Sequence, residues 1–122
     1  MAVFLNDAVL DVALALIDDN VAELYICNAL PVTYAEASST YALGNKTPPT
    51  IGVPEDAAPN GRKVVVSAIT DGTTTDSGTA THWALCGTAT AYAAGTLNAP
   101  VVVTSGIDFT LTEFAVTFPD AT

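Results

Sequence analysis

A chain of 122 residues with thirteen acidic side chains, three basic ones and a formal net charge of -10 is about one domain long, and 50% of it is hydrophobic. Only 13% of the residues are charged, which excludes a solvated, disordered chain and leaves a surface of Thr, Ser, Asn and Ala. Lys46, Arg62 and Lys63 are the whole basic complement, too few to release counterions from a nucleic-acid backbone, and the same acidity disfavours an anionic lipid surface.

The first predicted element is a helix over residues 6–20, NDAVLDVALALIDDN. Asn6 or Asp7 can cap it, and Val9, Leu10, Ala13, Leu14 and Ile17 recur at helical spacing on one face. Asp18, Asp19 and Asn20 mark its end, where the two aspartates oppose the helix dipole. The apolar stretches around Ala13–Ile17 and Ala99–Val103 are far shorter than the roughly 20 residues that span a bilayer. The start, MAVFLND, carries neither a basic flank nor a cleavage site of the secretory kind. Folding in a cytoplasm is therefore expected, with Cys27 and Cys86 as reduced, buried thiols.

From Glu23 onward the period changes to two. Leu24–Cys27 reads as a strand followed by the turn-prone Asn28–Pro31. Residues 46–60, KTPPTIGVPEDAAPN, hold Pro48, Pro49, Pro54 and Pro59. Prolines lack ladder donors, so an extended surface loop is expected there, acting as an arm toward a neighbour. Strand signals then follow at Lys63–Ile69, with Asp71–Gly72 as a turn, at Thr79–Cys86, at Ala89–Leu97, at Val101–Thr104 and at Asp108–Phe118. Short strands at even spacing predict a single, mainly β domain over residues 1–122: an antiparallel sandwich or barrel with one short N-terminal helix. In the last run Phe109 and Leu111 lie on one parity and Phe114, Val116 and Phe118 on the other. A bulge near Thr112–Glu113 would restore one apolar face; burial of both faces is the alternative.

Residues able to carry chemistry are few. His82 is the single histidine, and in THWALC it alternates with Trp83, placing His82, Ala84 and Cys86 on one face and Thr81, Trp83 and Leu85 on the other. Zinc needs four ligands, or three and water, and only Cys27 remains to join His82 and Cys86, so no metal site is expected. As a nucleophile pair, His82 and Cys86 stand about 13 Å apart along one strand, beyond hydrogen-bond reach. Cys27 with His82 remains geometrically possible, without a glycine elbow or oxyanion-forming sequence beside it. Asp71 and Asp76 around Gly72–Thr75, and the pair Asp18–Asp19, lack the ligand order of a calcium loop. No phosphate-binding glycine pattern occurs. Trp83 in an apolar alternating strand reads as core, with a sugar-stacking platform as the competing reading. Neither catalysis nor a cofactor is expected.

Two parts of the chain carry a family resemblance. The front block, LDVALALIDDNVAELYICNALPVTYAEASSTYALG from Leu10 to Gly44, and the rear blocks GRKVVVSAITDG, GTATHWALC and VTSGIDFTLTEFAVTFPDA together resemble small structural proteins encoded among the virion genes of tailed bacteriophages and prophages. They are similar to capsid decoration, or cement, proteins in size and in Thr/Ala-rich composition. The resemblance implies a non-enzymatic virion protein on the capsid surface, made in the host cytoplasm, with the major capsid protein as partner and a homo-oligomer, most simply a trimer, as its state. A tail, neck or fibre component is the alternative within the same particle, and a carbohydrate-binding module for host attachment is the alternative from another class. The segments expected to touch neighbours are the apolar start (Met1, Val3, Phe4, Leu5), the Pro-rich loop (Pro48, Pro49, Ile51, Val53, Pro54) and the chain end (Phe118, Pro119).

Overall fold

The computed structural model describes residues 7–57 and 61–118. Helix α1 runs from Asp7 to Asn20, the predicted first residue Asn6 lying outside the described residues, and Asn20 closes it by donating its side-chain amide to the Leu16 carbonyl at 2.7 Å. Leu14 and Ile17 are buried while Val12 and Leu16 face outward. The Ala22 N–H then donates to the Cys86 carbonyl at 2.9 Å, tying the helix end to the sheet.

Strand β1 (Glu23–Cys27) pairs antiparallel with β2 (Ala42–Lys46) on one side and with β6 (Gly78–Cys86) on the other. Its unbroken apolar run LYIC follows from burial on both faces. Leu24 and Ile26 enter the main core with Leu14, Ile17, Leu43, Trp83 and Leu85. Tyr25 and Cys27 enter a second cluster with Ala84 and Cys86, covered by Ala37, which lies on a π-helical turn at Glu36–Thr40.

Strands β5 (Ile69–Thr74), β7 (Ala91–Val103) and β8 (Phe109–Leu111) complete a six-stranded antiparallel sheet of order β7-β6-β1-β2-β5-β8. A second sheet holds β3 (Glu55–Asp56), β4 (Arg62–Val66) and β9 (Phe114–Phe118) in the order β3-β4-β9. The sheets form a curled half-barrel, in line with the predicted mainly β, antiparallel class. Val64, Val66 and Val116 of the second sheet pack into the same main core.

Four local expectations are corrected. Asp71–Gly72 is not a turn: both residues lie inside β5, and Gly72 stands opposite Phe109 of β8. The two runs predicted at Ala89–Leu97 and Val101–Thr104 are one strand. Between the pairs His82↔Thr96 and Ala80↔Val101, Leu97–Pro100 bulges opposite Thr81. Pro100 is tolerated because it sits in a bulge on an edge strand. The last run is two strands in different sheets rather than one bulged strand. The chain steps across at Thr112–Glu113, so Phe109 and Leu111 on one parity and Val116 on the other all reach the core.

The Pro-rich segment is the fourth case. Over its described residues, to Ala57, it keeps the expected extended and largely exposed course but lies along β4 rather than projecting: Ser67 N–H donates to the Thr50 carbonyl and Gly52 N–H to the Val65 carbonyl, each at 2.9 Å. Ile51 bridges Val66, and Glu55–Asp56 pairs with Lys63 and Arg62. Prolines remove donors only at their own positions, and the residues between them supply the ladder.

Candidate interaction surface

Cys27, Cys86 and His82, the residues able to carry chemistry, lie on the paired strands β1 and β6. Cys27 stands directly opposite His82 across β1 and β6, and Cys86 opposite Glu23. The Cys27 thiol donates to the Ala37 carbonyl at 3.6 Å, and burial pushes its pKa up to about 12. Burial likewise pushes Cys86 up to about 11. Burial thus favours the neutral thiol over the thiolate at both positions. His82 Nδ1 shares a 2.8 Å hydrogen bond with Thr81 Oγ1. Four residues of ladder, about 13 Å, separate the positions of the two cysteines, which is too far for a disulfide; both are free. Tyr25 donates its hydroxyl to the Glu23 carboxylate, and burial, then that bond, hold the phenol above its usual range. Among the described residues no group of three or more His, Cys, Asp or Glu is placed to hold a metal ion.

Trp83 belongs to the core. It is 8% exposed, its ring lies 4.7 Å from that of Phe114 at an interplanar angle of 34°, and the backbone of Gly95 is pressed against the indole. No indole face is offered to a sugar.

All three cations are paired. Arg62 donates through Nε to Asp11 at 2.7 Å and through Nη1 to Asp56 at 2.6 Å, and through Nη2 it reaches the Pro54 carbonyl at 3.3 Å. These carboxylates raise the Arg62 pKa and clamp α1, β3 and β4 together. Lys46 sits 2.9 Å from Asp71 and holds that carboxyl below its usual range. Lys63 lies 3.7 Å from Glu55.

The predicted contact residues separate into groups. Pro48 and Val53 are exposed, whereas Pro49 is buried and Ile51 and Pro54 are half-buried. Pro49 and Ile51 thus serve the domain's own packing. Phe118 ends β9 opposite Arg62. Met1, Val3, Phe4, Leu5 and Pro119 lie outside the described residues.

A surface that the strand signals did not disclose lies along β7. Among the described residues this strand is an edge of the six-stranded sheet and pairs with β6 alone. Two shallow apolar clefts flank it. One, of about 570 Å³, runs between Leu97–Val102 and the β5–β8 edge at Ile69, Leu111 and Phe114. The other, of about 320 Å³, is formed by Leu30, Pro31 and Val32 with Ala91–Ala94. From Ser77 to Ile107 the sequence contains no Asp, Glu, Lys or Arg. That stretch was a readable signal, but its position along one free edge follows only from the strand order. Comparison with protein-family models, curated proteins and solved structures gave no match.

Proposed function

We propose that this chain is a non-enzymatic structural protein of a tailed-phage particle, acting as a capsid decoration or cement protein that bridges and stabilises major capsid subunits. The observation that carries this reading is the uncharged β7 edge with an apolar cleft on either half. Protein interfaces are depleted of charge at their centre, and shallow neutral clefts of this kind accept a protein surface. The particle itself is supported by the resemblance of the blocks Leu10–Gly44, Gly61–Gly72, Gly78–Cys86 and Val103–Ala121.

In this role each copy buries on the order of 800 Å² against a neighbour, and many copies acting together hold the shell through avidity. A homo-oligomer at a symmetry axis, a trimer on a three-fold, suits that geometry. Labelling the protein on purified particles and imaging them tests the reading. Label distributed over the head is expected. Label confined to the tail, neck or fibres would move the protein to that part of the particle, and particles free of label would refute a virion role.

A further inference from the structure

Among the described residues the two sheets end on β7 and β8 and on β3 and β9. An open edge invites another strand to pair, and natural proteins guard it by shortness, charge, proline or a bulge. β3 is two residues long and both are acidic, Glu55 and Asp56. β8 is three residues long, with Asp108 before it and Glu113 after it in the chain. β7 is broken by the bulge at Leu97–Pro100. β9 has none of these guards: FAVTF is five residues without a charge or a proline, paired to β4 with no shift of register and, among the described residues, to no other strand.

We propose that this edge is covered by the start of the same chain, Met1–Leu5, added to β9 as a further strand. Place, length and chemistry each point to that occupant. Arg62 pairs with Phe118 across β4 and β9 and holds Asp11 at 2.7 Å, which brings the first half of α1 to the Phe118 end of the open edge. Asp7, where α1 begins, stands one helical turn before Asp11, about 6 Å along the axis. Met1–Asn6 precede it and extend to about 20 Å at most, against about 17 Å for the length of β9. The segment therefore sets out beside β9 and is long enough to run along it. MAVFL carries no charge and no proline and holds the β-prone Val3 and Phe4, so it matches an edge that is itself uncharged. Its covalent link to α1 gives it an effective concentration at this edge that a separate molecule has to exceed.

This inference turns the apolar start toward its own domain, and it stands apart from the cement reading because its test needs no particle. Hydrogen exchange on the purified full chain is that test. Amides along a strand point alternately to either side. We expect those of Phe114–Phe118 that point away from β4 to exchange slowly, and equally slowly at every chain concentration, a readout that needs no variant to fold. Val3→Pro and Phe4→Pro remove successive donors that face opposite sides of the segment, so one of the two takes a bond from β9. That variant should speed exchange of the outward amides at least about tenfold, with the amides of β1 and the circular dichroism unchanged. Val3→Thr, which keeps a strand-forming residue, should leave the protection in place. Outward amides that exchange as freely as those of an exposed loop, protection that rises with chain concentration, or protection untouched by both prolines would each overturn the proposal. A protected edge in a chain that is missing from labelled heads would sink the cement reading and leave this one standing.

Discussion

Replacing Gly72 by Ala adds one methyl group where the Phe109 ring already stands. The two residues are partners across β5 and β8, and a Cβ built on Gly72 lands within the ring. Phe109 is only 3% exposed. On the other side a Cβ at Gly44 of β2 would come 3.2 Å from Phe109 Cε1, so the ring has little room to withdraw. In an unobstructed strand, Gly to Ala stabilises by about 0.5–1 kcal/mol. Overpacking a core costs about 1–3 kcal/mol, and with the ring hemmed in on both sides the upper half of that range applies. The net expectation is a loss of about 1–2 kcal/mol, or roughly 3–8 °C in Tm for a domain of this size. Phe109→Ala alone should cost about 3–5 kcal/mol. In that background the new methyl meets no ring, so Gly72→Ala should become neutral or stabilising, giving a coupling of about 2 kcal/mol in the double-mutant cycle. Urea unfolding followed by circular dichroism supplies all four stabilities, with Phe109→Leu in place of Phe109→Ala if the latter does not fold. Wild-type stability for Gly72→Ala, or strict additivity, would falsify the stacking of this ring on the two glycines.

Three further outcomes are expected. Tyr25, Cys27 and Cys86 all bind their protons more tightly in the folded chain than in the unfolded one. The stability the two thiols contribute is present below their ordinary value of about 8.5 and is lost as pH rises toward about 11–12, while that of Tyr25 is lost only above its ordinary value of about 10; urea midpoints that stay level through this alkaline range would contradict it. Trp83 emission should be blue-shifted, resistant to acrylamide and indifferent to added sugars, and a wet, sugar-responsive signal would contradict its packing on Phe114. Arg62→Ala should lower Tm and speed proteolysis near Val53–Ala57 by releasing Asp11, Asp56 and the Pro54 carbonyl; Arg62→Lys should restore little, since an ammonium lacks the planar fork, and full rescue by Lys would count against the clamp.

How far the sequence discloses this molecule depends on how local each determinant is. The period of Leu10, Leu14 and Ile17 and the stop at Asn20 are local, and α1 ends at Asn20 as predicted. Burial of both faces of β1 is written into LYIC, and Trp83 sits in the core as its alternation implies. Asp71–Gly72 misleads because the pair has turn chemistry, while the reason for the glycine is Phe109, thirty-seven positions away and visible only after β5 and β8 pair. Gly95 makes room for the Trp83 indole and Pro100 sits in a bulge, and both reasons appear only once β7 pairs with β6. The interaction surface follows the same rule. Its lack of charge is plain in the sequence, whereas its place on a free edge depends on which strands end the sheet.

The open side of the half-barrel has a structural cause that bears on what the chain can bind. Closure would require β7 to pair with β8, and both are interrupted. β7 bulges at Leu97–Pro100, and β8 stops at Leu111, three residues long, because the chain then crosses to pair Phe114–Phe118 with β4. That crossing lets Phe114 reach Trp83 and Val116 reach the core, so the second sheet supplies the apolar cover that closing the barrel would have given. The core is completed without closing the ring. Among the described residues the outward backbone of β7 is left unpaired, and the seam between Leu97–Val102 and Ile69 is left as a cleft. A domain that satisfies its core in this way keeps Trp83, Leu85 and Val66 buried by the inward face of β7 and by the second sheet, while the outward backbone of β7 stays available to a partner.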